Sequence, residues 1–147
     1  MKLPEIIYYD TDKEVTVTID EDGHHGFFCG VPEAYLHQLC LMYGSTLEGR
    51  TQAFKELTHS VQKAGCLISE SNGIIYFPTL SAKDPACVWL NAKTIYSVKA
   101  IDMHHSLVNF FKGNKIELAI NVRTVKKQIL RCEQFEEAMH QLVMDRQ

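Results

Sequence analysis

Tyr76-Phe77-Pro78-Thr79-Leu80-Ser81, with Pro85-Ala86-Cys87-Val88-Trp89-Leu90 a few residues on, decides how the middle of this chain is read. Two apolar, aromatic-rich runs flank a short polar segment. Proline has no N–H to give to a sheet ladder, so Pro78 ends a strand that begins near Gly73. Trp89, the only tryptophan, opens the next run. The two runs read as a strand, an ordered turn and a strand with a buried aromatic anchor.

The neighbouring segments extend this pattern. Residues 66–69 and 74–77 flank Glu70-Ser71-Asn72-Gly73, whose Asn-Gly pair is a strong signal for a tight turn. Near the start of the chain, Val15, Val17 and Ile19 alternate with Thr16 and Thr18, the period of a half-buried strand. Ile6-Ile7-Tyr8-Tyr9 is its expected partner across a turn at 10–13, and 20–25 reads as a loop. Pro32 suits the first position of a helix, with Glu33 near the positive end. Tyr35, Leu36, Leu39, Cys40 and Met42 carry that helix to Gly44. A weaker helical pattern covers 47–59.

The second half is richer in strands. Residues 89–90, 94–101, 107–111 and 116–120 are the candidates, the last two forming a hairpin across Lys112-Gly113-Asn114-Lys115. From 124 to 145 the period is helical, and Val125, Ile129, Cys132, Phe135, Met139 and Leu142 make one apolar stripe. The expected fold class is α+β. A curved antiparallel β-sheet is packed by a C-terminal helix, with one or two helices in the first half, in a pleckstrin-homology-like arrangement. Residues 1–147 form one domain in this reading.

Composition narrows the function classes. With 46% hydrophobic and 22% charged residues, 147 residues suffice for an ordinary core. No run approaches the ~20 apolar residues of a membrane span, and the first residues lack the apolar region of a signal peptide. Cysteines 29, 40, 66, 87 and 132 are odd in number and irregular in spacing, which favours buried thiols over a disulfide framework or zinc site. The expectation is a cytoplasmic protein with no cofactor and no metal. His24-His25 and His104-His105 are adjacent pairs whose side chains diverge in extended chain. No catalytic signature is present, so an enzyme is not expected.

Charge is unevenly spread. The net value is −3, yet residues 83–131 hold nine bases against three acids, and residues 1–22 hold seven acids against two bases. Local field, rather than net charge, steers a polyanion. Arg123, Lys126 and Lys127 fall in the first turns of the last helix, where N–H groups already make the end positive and acids are preferred. Cations added to a positive helix start suit a phosphate; the alternative is solvated side chains of negligible cost. The hairpin residues Lys112 and Lys115 fall in the same basic stretch.

Several features taken together resemble the ComK family of competence transcription factors. They are the Phe-Pro-Thr-Leu-Ser and Cys87-x-Trp89 runs, Cys40-x-x-Tyr43-Gly44-Ser45 with Gly49-Arg50, Phe110 with Gly113, Ile116 and Leu118, and Gln128-x-x-Arg131. Their collinear order, over roughly residues 33–139, carries the resemblance. It implies a DNA-binding transcriptional activator of competence genes that acts as an oligomer on paired A/T-rich boxes, largely through the minor groove. A/T-tracts narrow that groove and draw Arg or Lys into it. Arg50 is then a candidate groove or phosphate contact, or else a structural ion pair with a glutamate. Arg131 is a candidate contact or a structural residue. Lys83, in the loop at 81–85, is a further contact candidate. Family chains commonly continue into a tail that an adaptor delivers to a Clp protease. The sequence ends at Gln147, so turnover by that route is not assumed. The rival reading is a relative that has lost DNA binding and acts as a regulatory partner.

Overall fold

The alternating side chains of the central strands determine which layer covers which face. The computed structural model describes residues 2–146. In chain order these form β1 Ile6–Asp10, β2 Val15–Ile19, β3 His25–Phe28, α1 Pro32–Met42, α2 Leu47–Thr58, β4 Cys66–Ser69, β5 Ile74–Pro78 and β6 Val88–Asn91. A 3₁₀ turn, Ala92–Thr94, leads to β7 Ile95–Ala100, β8 Ser106–Phe110, β9 Lys115–Leu118 and α3 Val122–Asp145. The α+β class with an antiparallel sheet and a C-terminal helix holds.

The strands divide between two sheets. The larger has the order β3-β2-β1-β6-β5-β4, and β7-β8-β9 form the smaller. Two meanders meet where β1 pairs with β6, placing Ile6 opposite Leu90 and Ile7 opposite Trp89. On β5, Tyr76 faces Asn91, Phe77 faces Leu90 and Pro78 faces Trp89. Pro78 closes the strand, as its missing N–H requires.

Both faces of the central strands are buried. Ile6, Leu67, Ile75, Phe77 and Leu90 point into one core with Val108 and Phe110 of the small sheet, Phe54 of α2, and Val125, Cys132 and Phe135 of α3. Ile7, Cys66, Ile68, Tyr76 and Trp89 point the other way, onto Leu36, Leu39 and Cys40 of α1. Burial on both faces explains why these strands read as continuous apolar runs. The hydroxyl of Tyr76, which is itself fully buried, donates to the Pro4 carbonyl.

The helices start where local chemistry places them. Pro32 occupies the first turn of α1, with Glu33 beside it. Thr46 caps α2, its hydroxyl accepting from the Gly49 N–H at 3.1 Å. Phe54 of α2 stacks on Phe135 of α3 with centroids 5.2 Å apart. Gly65 makes room for that ring, because a Cβ there would lie 2.6 Å from Phe54 Cε2.

Two details differ from the sequence reading. β3 begins at His25, inside the expected loop, and is held by pairing with β2, with Gly26 opposite Thr18. The apolar stripe of α3 is interrupted by buried Gln128. Leu142 is 40% exposed, because the helix runs past the edge of the core after Met139.

Gly65→Ala should therefore destabilise the protein by about 1–3 kcal/mol through overpacking. In a Phe54→Leu background the penalty should shrink, since the opposing ring edge is gone. A double-mutant cycle in urea checks this, and equal penalties in both backgrounds would show that the contact is not what limits residue 65.

Candidate nucleic-acid interface

The start of α3 is fixed by Asn121. Its side chain accepts from the Arg123 N–H at 2.8 Å and donates to the Met103 carbonyl at 2.8 Å. That cap satisfies a backbone donor that a first-turn carboxylate would otherwise attract, and no acidic residue stands in the first turn. Val125, Gln128, Cys132 and Phe135 face inward. The helical period then leaves Arg123, Lys126 and Lys127 exposed. Among the described residues, no carboxylate lies within ion-pair distance of these three, nor of Lys83, Lys115 or Arg131.

The exposed bases divide between two flanks of the helix. On one flank, a cleft of about 420 Å³ lies between α3 and the loop that joins α2 to β4. Lys127, Arg131 and Thr124 line it from the helix, and His59 and Lys63 from the loop. Among the described residues no carboxylate lines it. Gln128, 3% exposed, contributes its carboxamide to the wall. The Arg131 guanidinium donates to Gln128 Oε1 at 3.1 Å, and among the described residues Gln128 Nε2 has no acceptor. Lys63 and His59 both hold left-handed backbone, with φ 54° and 55°. Such a conformation costs a non-glycine residue about 1–2 kcal/mol.

On the other flank, Lys126 and Lys93 share a cleft with Glu133 and Glu136. Exposed Tyr96 and Phe111 meet there edge to face, with centroids 5.3 Å apart. Charges on this side are balanced.

The remaining candidates are dispersed. Arg50 donates to Glu70 at 3.3 Å, and its side chain is only 19% exposed. It lies close to Cys40 and Cys66, whose sulfurs approach to 3.4 Å. The Cys40 contact and burial push the Cys66 thiol well above its usual range. Lys83 lines a cleft of mixed sign with Glu33, Glu48, Lys55 and Lys63, so Lys63 borders both this cleft and the one beside α3. Lys112 pairs with Glu21 at 2.9 Å. Asn114, in the same turn, donates to buried Glu5 at 2.9 Å and to the Asp20 carbonyl at 2.7 Å, so the hairpin tip is fastened to the acidic N-terminal stretch. Lys115 stands exposed on β9, paired in register with Asn109.

Ligand atoms of Asp20, Asp22 and His24 lie within 4.8 Å of one another. Asp20 already accepts the N–H groups of Asp22 and His24, and Asp22 pairs with Lys2. Among the described residues no helix is long and apolar enough to cross a membrane.

Sequence reasoning missed Lys63, which sits in no motif and joins the site only through the path of its loop. It named Gln128 only as part of the Gln-x-x-Arg spacing. That spacing places both residues on adjacent turns, where they meet.

The profile of the family described as ComK protein matches residues 6–143. A curated relative, the competence transcription factor of Bacillus subtilis (strain 168), is 30% identical over 100 residues, covering 68% of this chain. The aligned part is 52% of that relative's length, so the chain spans about half of it. No solved structure matches. The family match runs from the first residue of β1 deep into α3 and takes in both sheets and both clefts flanking α3, so the chain belongs to the ComK family.

Proposed function

We propose that this chain is a competence transcription factor that binds A/T-rich double-stranded DNA, largely through the minor groove, as a homo-oligomer in the cytoplasm and without catalytic chemistry. The observation that carries the reading is the family match over nearly the whole chain. The relative from Bacillus subtilis bears the same functional name. The first turns of α3 support it physically: Arg123, Lys126 and Lys127 project from a positive helix end without carboxylate partners among the described residues. A narrow A/T groove concentrates negative potential, so a few cations suffice where net charge is unfavourable.

One observation favours a second reading, a regulatory partner that does not bind DNA. The acidic stretch that holds Glu21 and Asp22 occupies Lys112 and Lys2, reducing the positive field at the hairpin tip. The same contact is compatible with DNA binding if phosphate displaces it.

A duplex with two A/T-rich boxes, set beside a G/C-rich control over a salt series, separates the readings. Selective binding that falls steeply with salt is expected; flat or absent binding favours the partner protein. Reversing Arg123, Lys126 and Lys127 to glutamate should weaken A/T binding by at least about tenfold and lessen the salt slope, since each lost phosphate contact lowers it by ~0.9. The melting temperature should stay within a few degrees, because the three side chains are exposed. Unchanged affinity would move the contact surface off this helix. Glu21→Gln with Asp22→Asn should raise affinity for the same duplex by a few-fold; a decrease would mean that the acidic stretch positions the hairpin rather than competing with DNA.

A further inference from the structure

We infer that Cys40 and Cys66 form an oxidisable dithiol site, in which a peroxide creates a disulfide tying the last turns of α1 to the first residue of β4. The inference does not depend on the DNA-binding reading.

The fold brings the two thiols together. Their sulfurs lie 3.4 Å apart, in contact but unbonded. Both backbones are held in place. The Cys40 carbonyl ends α1 by accepting the Tyr43 N–H at 3.0 Å, the Ser45 N–H at 2.9 Å and the Ser45 hydroxyl at 3.1 Å. Cys66 sits in the sheet in register with Tyr76. A disulfide needs about 2.05 Å between sulfurs, which leaves ~1.4 Å for small rotations of both side chains to close. Cys87 and Cys132 are buried as well, but among the described residues only Cys40 and Cys66 have sulfurs in contact.

The surroundings suit the chemistry. Arg50 of α2 places a cation close to both sulfurs, with its side chain only 19% exposed. One guanidinium nitrogen meets Glu70 at 3.3 Å, while Nε is buried with no acceptor among the described residues. A neighbouring cation favours the thiolate, which is the nucleophile toward a peroxide. The Cys66 S–H contact, then the Ser45 hydroxyl and the Arg50 charge, hold the Cys40 thiol below its usual range. The same contact and burial push Cys66 up, so it stays protonated. Roles divide accordingly: Cys40 attacks and Cys66 resolves.

The Cys40 thiolate attacks one oxygen of hydrogen peroxide, forming an S–O bond and breaking the O–O bond. The released hydroxide takes up the proton that Cys40 lost and becomes water. The Cys66 sulfur then attacks the Cys40 sulfur, the S–S bond forms, and the S–O bond breaks. The Cys66 proton leaves with the hydroxyl as a second water. Two thiols give up two electrons, and one peroxide becomes two waters. Both side chains are fully buried, so reaction proceeds through transient opening of the end of α1, where Leu41, Met42, Tyr43 and Gly44 are exposed. The loop that the bond closes contains all of α2. In a reducing compartment such a bond is transient, which suits a sensor of oxidant.

The test uses the full chain carrying Cys29→Ser, which removes the exposed thiol, with hydrogen peroxide as the probe. Mass spectrometry of the intact chain should show the loss of two hydrogens, and peptide mapping should join the segments holding residues 40 and 66. Dithiothreitol should reverse the change. The oxidised chain should melt several degrees higher, because the cross-link restricts the unfolded state. Urea below the unfolding transition should speed the reaction, since opening limits it. Arg50→Gln should slow the reaction several-fold at equal pH, measured on chains with matched melting temperatures. Cys87 and Cys132 should stay reduced throughout. Thiols 40 and 66 that remain free under peroxide overturn the site, as does oxygen added to Cys40 with no link to Cys66. Linkage of Cys87 or Cys132 at the same rate also overturns it, because contact between the sulfurs would then not govern reactivity.

Discussion

Burial of β5 on both faces is the constraint on which the other elements depend. Ile75 and Phe77 point into one core while Tyr76 points into the other, so neither face can be left to water. At ~25 cal/mol per Å² of apolar surface removed from water, each such side chain contributes about 1.5–3 kcal/mol, and its loss leaves a cavity besides. Two coverings are therefore required. α1 supplies one through Leu36, Leu39 and Cys40, and the small sheet with α2 and α3 supplies the other. The six-stranded sheet is a partition between two cores rather than a wall with a wet side.

This partition also sets the rotation of α3. Phe135 must stack on Phe54, and Val125 and Cys132 must meet the strands. With those three fixed, the helical period leaves no freedom for the polar side. Arg123 and Lys127 turn outward because Val125 turns inward, and Arg131 turns toward the loop because Cys132 is buried. The basic flank is a consequence of core packing. The opposition between bases and helix dipole at this end is moderated by Asn121, which uses its side chain to engage a backbone N–H. A net charge of −3 is no obstacle to a local positive field, because the acids are concentrated at the N-terminal loop and the far end of α3.

Local signals in the sequence were sufficient for most elements. The Val15–Ile19 alternation, the Asn72-Gly73 turn, Pro32 at a helix start and the stripe through Phe135 each encode structure within a few residues. β3 carries no such signal, since His25-Gly26-Phe27-Phe28 forms only by joining the edge that β2 offers. The division into two sheets was equally illegible, because strand periodicity does not say which partner a strand chooses. Charge counts placed nine bases in one stretch but not on one face. The fold separates Lys126 from Lys127, occupies Lys112 with Glu21 and Arg50 with Glu70, and brings in Lys63 from outside the basic stretch. Pairing across 20 to 91 residues is a tertiary fact with no local trace.

Gln128 shows how a sequence pattern and a stability argument can part company. A stripe that reads Val125, Ile129, Cys132 and Phe135 would be continued most favourably at position 128 by an apolar residue. A buried carboxamide with one unpaired donor costs about 1–3 kcal/mol that a methionine of similar length would not. The hydrogen bond to Arg131 returns about 1.5–3 kcal/mol at most, as expected for a bond to a charged group. That bond can form without burying an amide, since Arg131 is partly exposed and water would serve its N–H groups as well. Stability alone therefore gives little reason for glutamine here. What glutamine supplies and methionine cannot is an acceptor that fixes the guanidinium plane of Arg131, in a cleft that Lys63 and Lys127 also line.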